Sequence, residues 1–464
     1  MSQAPPSVER AIDRLARLPG ARLVARFVPQ GAVVLSVLTF ASYGMGLVRD
    51  RLLTQTFGAG TELDAYNAAF ILPELSLRVI VASGLAAPFI PIFARLRRDD
   101  AAAAQAFGQT ILTLAVVAMG ATAALLFLAA PATVSLVAPG FGPTERDLYT
   151  DLFRVMCVTP VIFAASIAFG EILIAERRFL PYGLAPILYN GGLVVGTVAL
   201  SPSIGIFGPA AGAVLGAILH LAIRLWGIRR AGFPVRPRLQ VRTAAIREFF
   251  VLMLPKTGSS PIEPLTYLFF TNVASALAAG SVAVVNLAQN FQALPVSLIG
   301  VAFSLAAFPA LATAHAAGDR RAFARIVGTS ALTIGVLTIG AAVGLFLVGE
   351  LAIGILFGGG RFDDEAVART ALVLGMFALS IPFESLGHLL SRAIYATRHT
   401  LLQVVASLVG FAVMVVATAA LVASLDIVAI PLGFALGSVV RTVLLGLVLV
   451  PRVRRIGRIP AGSA

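Results

Sequence analysis

Twelve windows of about twenty apolar residues follow one another along this 464-residue chain. They centre near Thr39, Leu77, Val117, Phe163, Gly192, Gly216, Leu265, Leu298, Gly335, Ala378, Phe411 and Val439. A helix needs about 20 such residues to cross roughly 30 Å of hydrocarbon. In lipid, a spanning segment must also satisfy its own backbone N–H and C=O groups. The expected fold is therefore an all-α polytopic membrane protein with twelve transmembrane helices. Composition agrees. Charged residues make up 12% of the chain, half the roughly 25% of soluble domains. Glycine (43) and proline (26) are abundant, as they are in membrane helices.

The loops sort by charge. One set holds Arg95-Leu96-Arg97-Arg98, Arg177-Arg178, seven arginines from Arg224 to Arg247, the trio Arg320, Arg321 and Arg325, and Arg398-His399. The alternate set is poor in arginine: Pro139–Arg146, Ser201–Ile206, Ser275–Gly280, Gly358–Arg361 and Ser424–Asp426. The positive-inside rule places the first set, and both termini, in the cytoplasm. Residues 1–30 carry Arg10, Arg14, Arg17, Arg22 and Arg26. No clear small-residue cleavage site follows Gly31–Val48, so this segment reads as an uncleaved basic tail rather than a signal peptide.

The longest hydrophilic connection, 229–247, divides the chain into an N-lobe (31–228) and a C-lobe (248–451), followed by a basic tail (452–464). The halves echo each other. Pro73 and Pro295 lie 222 residues apart, as do Pro160 and Pro382, and the segment from Glu171 resembles that from Arg392. Each half has an even number of spans, so the copies share one orientation. They form a parallel pseudo-twofold repeat of two six-helix lobes around a central cavity.

Several functional classes are excluded. The net charge of +13 comes from 34 arginines and one lysine placed mostly between apolar segments. That is the pattern of topology determinants and anionic headgroup contacts, not of nucleic-acid binding. Cys157 stands alone and the four histidines have no ligand spacing, so neither a disulfide nor a metal site is expected. The FGAG and FGGG runs lack the GxxxxGK[ST] context of a nucleotide loop and read as turns at helix ends. No nucleophile–base pair is present, and neither enzymatic activity nor a cofactor is expected.

The remaining signal is charge inside apolar windows. Arg49, Asp50, Asp64, Glu74 and Arg78 lie in or beside the first two spans. A charge near the bilayer centre costs roughly 2.5–3.5 kcal/mol on insertion scales and persists where it meets a partner or a watery cavity. Phe57-Gly58-Ala59-Gly60, Asp64-Ala65-Tyr66, Pro73, Arg78, Gly84 and Phe89-Ile90-Pro91-Ile92-Phe93 together resemble the MurJ (MviN) lipid II flippases. Further matches are Arg178-Phe179, Ala185-Pro186, Asn190, Ala278 to Ser281, Leu294-Pro295, Leu356 to Phe362 and Arg392 to Ala396, so the likeness covers about residues 31–450. The resemblance implies a carrier in a bacterial inner membrane that turns a polyprenyl-pyrophosphate-linked glycan, lipid II, from the inner to the outer leaflet. It also implies that Arg49 and Arg78 bind the pyrophosphate and that Asp64 orders them. The chain departs from the family pattern at Tyr43, Ser83, Asn290 and Ala293, and it shows twelve spans where the best-known members have fourteen. These departures keep open a flippase for another polyprenyl-pyrophosphate-linked glycan, or a non-transporting scaffold of cell-wall synthesis.

Four more polar residues are candidates for coupling. Lys256 could stand in for a bound cation or snorkel to the interface. Glu263 lies in an apolar segment. Glu384 and His388, four apart on one helix face, could relay a proton or form a structural hydrogen-bonded pair.

Overall fold

A computed structural model of the chain describes residues 30–257, 262–397 and 400–456. Residues 1–29, His399 and the tail from 457 lie outside the described residues, as does the side chain of Lys256. Apart from one isolated bridge between Gly359 and Phe362, regular structure among the described residues is helical.

In chain order, the first span is α1 (Gln30–Phe57). The second joins α2 (Thr61–Leu77), a π-helical turn (Arg78–Ala82) and α3 (Ser83–Asp99). The third is α4 (Ala101–Leu128), followed by the short α5 (Ala130–Val137). The fourth is α6 (Pro143–Met156) with α7 (Val158–Ala175). The fifth joins α8 (Phe179–Val195), a π-helical turn (Gly196–Leu200) and α9 (Ser201–Ile204), and the sixth is α10 (Phe207–Arg230). The seventh is split into α11 (Ala244–Thr257) and α12 (Ile262–Ala274). The eighth joins α13 (Ser281–Pro295), a π-helical turn (Val296–Val301) and α14 (Ala302–Ala316). The ninth is α15 (Arg320–Phe357), and the tenth is α16 (Asp364–Ala378) with α17 (Ile381–Ala396), bent by 41°. The last two are α18 (Thr400–Leu425) and α19 (Ala429–Arg455). Seven helical stretches among the described residues suffice to cross a membrane by length and apolarity alone. One of them, Leu401–Arg455, contains both of the last two spans.

The repeat reappears in the helices. The sixth span starts at Phe207 and the twelfth at Ala429, an offset of 429 − 207 = 222. The second and eighth spans both contain a proline, Pro73 or Pro295, followed by a π-helical turn. Proline removes a backbone donor and crowds the carbonyl four residues back, and a π-turn lets the helix resume with a shifted register.

Within each lobe, glycines bring helix backbones together. A Cβ on Gly196 would lie 2.5 Å from the Gly208 carbonyl oxygen, and one on Gly437 would lie 2.5 Å from the Gly410 oxygen. Lipid gives little hydrophobic drive for helix association, so such close van der Waals packing carries it. In the seventh span, chain order and packing diverge. Ile246 and Phe249 of α11 join a cluster with Phe89, Phe93, Phe107 and Ile172 of the N-lobe, whereas Phe270 of α12 packs on Phe377 and Phe434 of the C-lobe.

The apolar cores show how the lobes meet. One cluster joins Leu53, Phe57 and Tyr66 of the N-lobe to Val284, Phe291, Phe357 and Phe377 of the C-lobe. Toward the arginine-rich end the cores are separate. The N-lobe has its Phe89–Phe107 cluster, and the C-lobe has one containing Leu311, Phe323, Ile394 and Leu449.

Candidate functional site

Between the lobes lies a cavity of about 520 Å³ whose wall includes Arg49, Asp50, Glu74, Arg78, Tyr189 and Tyr267. Arg49 reaches it from α1. Its Nε and Nη2 both donate to Asp50 Oδ1, at 2.8 and 2.7 Å, and its Nη1 donates to Asn190 Oδ1 at 2.9 Å. Asn190 is fixed in turn, because its Nδ2 donates to the Pro186 carbonyl. The aromatic wall beside this cluster is ordered by an edge-to-face contact between Phe163 and Tyr189, with centroids 5.0 Å apart. Tyr66 also lines the cavity, and its buried hydroxyl has no hydrogen-bond partner among the described residues.

Arg78 opens the π-helical turn of the second span. Its Nε and Nη2 donate to Glu74 Oε1 at 3.0 and 2.8 Å, and its Nη1 reaches Glu263 Oε1 at 3.3 Å. Glu263 belongs to α12, so this ion pair ties the second span to the seventh across the cavity. The structure thus brings Arg49 and Arg78 to one cavity, with Glu263 reaching Arg78 from the facing span. Glu263 serves as a counter-ion to Arg78.

Asp64 corrects an expectation. It does not meet either arginine. Its carboxylate accepts from the backbone N–H of Gly280 (Oδ2, 2.7 Å) and of Ala283 (Oδ1, 2.7 Å), at the start of α13. The physical reason is local. The first N–H groups of a helix have no intrahelical acceptor, and the helix dipole favours an anion there. Gly280 caps α13 with φ 85°, and a Cβ at that position would run into the Ala59 carbonyl. The groups that order the arginines are Asp50, Glu74 and Glu263. Asp50 and Glu74 were visible as charges in apolar windows, but their pairing depends on helical phase and on the π-turn.

Around Asp64 the lobes form a polar clasp. Arg51 Nη1 donates to the carbonyls of Ile355 (2.6 Å) and Leu356 (3.0 Å), and Gln55 Nε2 donates to that of Gly358 (2.8 Å). The Arg361 N–H donates to the Gln55 carbonyl (2.8 Å), and its guanidinium pairs with Glu62 (3.1 Å). These contacts lie at the end where the apolar cores merge.

Glu384 and His388 line a second cavity of about 450 Å³ in the C-lobe. Of the two alternatives left open for them, a hydrogen bond between the two side chains is not what forms. Glu384 Oε2 instead accepts from Gln292 Nε2 at 2.8 Å. No group of three or more His, Cys, Asp or Glu side chains able to hold a metal ion occurs among the described residues.

The comparisons agree with one another. A family model described as "Lipid II flippase MurJ" matches residues 53–459. A probable lipid II flippase MurJ of Thermotoga maritima is 29% identical over 412 residues, covering 87% of this chain and 79% of its own length. The lipid II flippase MurJ of Burkholderia cenocepacia is 24% identical over 373 residues, covering 78% of this chain and 72% of its own. Among solved structures, lipid II flippase MurJ in an inward closed conformation superposes with a TM-score of 0.77 at 20% identity, over 92% of this chain and 90% of that one. A multidrug resistance MATE family transporter in an inward-facing conformation gives 0.77 at 14% identity, over 93% of this chain and all of its own. Over the parts that superpose, both share the two-lobe helical arrangement described above.

Proposed function

The chain belongs to the family of lipid II flippase MurJ, and from that membership and the geometry of its cavity we infer that it carries lipid II from the inner to the outer leaflet of a bacterial inner membrane. The observation that carries the reading at the residue level is the placement of Arg49 and Arg78 in one cavity between lobes clasped at one end.

In this reading the arginine-rich loops face the cytoplasm, where they concentrate anionic headgroups. The pyrophosphate enters at the end where the apolar cores are separate. Guanidinium binds phosphate oxygens through paired, charge-assisted hydrogen bonds and stays charged throughout. Phosphate oxygens would replace Asp50 on Arg49, and Glu74 and Glu263 on Arg78. Releasing Glu263 removes an ion pair that joins the second and seventh spans, so binding would loosen the lobes while adding contacts to each. Separation of the Asp64 clasp would then let the headgroup out on the other side. No bond is made or broken in the substrate. In an inside-negative cell, outward movement of an anion is favoured by about 2.3 kcal/mol per unit charge per 100 mV.

The test is growth rescue of a bacterium depleted of its own lipid II flippase. Rescue is expected from the wild-type chain and loss of rescue from Arg49→Ala and Arg78→Ala at equal membrane levels. Rescue by both variants would overturn the site. Failure of the well-inserted wild-type chain would point to another polyprenyl-pyrophosphate-linked glycan or to a scaffold.

A further inference from the structure

The C-lobe cavity contains an arginine with no counter-ion bonded to it. Arg441 lies on α19 and lines the cavity of about 450 Å³ together with Tyr267, Gln292, Glu384 and His388. Arg49 and Arg78 each hold a carboxylate, Arg392 donates to Ser304, and Arg224 donates to the Ser166 carbonyl beneath the Tyr182 ring. Arg441 has no hydrogen bond and no ion pair within 4 Å among the described residues, and its Nε is buried without a partner. The fold nevertheless makes room for it. A Cβ on Gly410 would lie 2.9 Å from the Arg441 Cβ, and one on Gly387 would lie 3.9 Å from its guanidinium carbon. A guanidinium inside a membrane span is costly unless it meets a partner or a polar cavity.

The rest of the wall narrows the choice of ligand. Gln292 donates to both Ser380 (3.0 Å) and Glu384 (2.8 Å), which holds its amide in one orientation. Gln289, Gln403 and Ser407 supply further neutral polar groups. One unpaired arginine, the carboxylates of Glu384 and of Glu263 (the latter paired with Arg78) and several amides complement a peptide, which carries carboxylates and N–H donors together. They do not complement an acyl chain. Tyr267 borders both this cavity and the arginine cavity, and the neighbouring Glu263 and Pro264 line one each, so the two halves adjoin and one extended headgroup can occupy both.

We propose that Arg441 is a specificity-determining residue that docks a carboxylate of the peptide on the headgroup while the pyrophosphate occupies the Arg49–Arg78 half. The inference rests on the lipid II reading above. It is tested by measuring the affinity of the purified full chain, in nanodiscs, for lipid II, for lipid II with its peptide carboxylates amidated, and for undecaprenyl pyrophosphate. Arg441→Gln is expected to weaken lipid II binding about tenfold, the scale of one lost charged hydrogen-bonded contact, and to leave undecaprenyl pyrophosphate unchanged. Amidation of the peptide should weaken wild-type binding similarly and have no further effect on the variant. Arg441→Lys, which keeps the charge without the fork, should fall between, and retained undecaprenyl pyrophosphate binding shows that each variant is folded. Equal weakening for lipid II and undecaprenyl pyrophosphate would make Arg441 a phosphate ligand and overturn the proposal. An unchanged lipid II affinity would also overturn it. If the wild type binds neither lipid, or Arg49→Ala weakens neither, the lipid II reading fails and this proposal fails with it.

Discussion

A guanidinium that already holds a carboxylate must release it before it can hold a phosphate. Arg78 and Glu263 are 44% and 71% exposed, so their pair is worth less than about 1 kcal/mol. Glu263→Gln should therefore tighten undecaprenyl pyrophosphate binding by no more than about fivefold, as read in the same affinity assay; weaker binding would mean that Glu263 helps hold the ligand. Asp64 belongs to another device. Its two bonds cap a helix of the opposite lobe, and loss of such a cap costs about 1–2 kcal/mol. In a Cys157→Ser background, Asp64→Ala should raise thiol labelling of Ala59→Cys about tenfold, whereas an unchanged rate would show that the clasp does not depend on this carboxylate. Arg49, Arg78 and Asp64 could be picked out in the sequence because a charge in an apolar window needs a reason. Which groups pair with which could not, because Glu263 lies 185 residues from Arg78 and Asp64 is satisfied by backbone N–H groups, which have no residue-type signature.

At the level of the helices, small residues set the distances. Gly196 has the Gly208 carbonyl 2.5 Å from where its Cβ would be, while Gly120 on α4 has no neighbour within 4 Å. Gly196→Leu should lower the melting temperature by several degrees, since overpacking costs typically 1–3 kcal/mol. Gly120→Leu should leave it nearly unchanged. A comparable loss at both positions would show that glycine matters here through backbone flexibility rather than close approach. The prolines of the second and eighth spans were legible in the sequence, but the π-turns that follow them were not. A π-turn is a slip in hydrogen-bond register, and apolar windows look the same on either side of it. The division of the seventh span between the two lobes was also hidden, because α11 and α12 are both apolar and only packing distinguishes them.

Across the whole molecule, the feature that matters is the asymmetry between its two ends. At one end the cores of both lobes fuse, and at the other they stay apart. A carrier that alternates must split the fused core and the clasp over it. The ideal Cβ of Gly58 lies 3.3 Å from the Arg361 Cβ across that end, close to the separation a disulfide needs, but 2.5 Å from the Arg361 carbonyl oxygen, so the cross-link requires a local backbone shift. Gly58 has φ 69°, and a side chain there costs roughly 1–2 kcal/mol. In the Cys157→Ser background, oxidised Gly58→Cys/Arg361→Cys should lose flipping and regain it on reduction. Flipping by the fully cross-linked protein would show that this end need not open. The twelve spans and the two-lobe repeat were readable because arginine-rich loops alternate and prolines recur at a fixed spacing. Which end is closed was not readable, because either state buries the same apolar windows.

Two guanidinium groups and the carboxylates of Asp50 and Glu74 line the Arg49–Arg78 cavity, and Glu263 reaches Arg78 from its edge. Such a site behaves as an ion exchanger supplied with its own counter-ions. Its affinity for an incoming phosphate is a difference between two similar bonds, so it will be modest and salt-dependent. A transporter gains from this. A carrier that held its cargo at full strength would not let go on the far side, whereas one whose own carboxylates compete for the same arginines can release its load and reset.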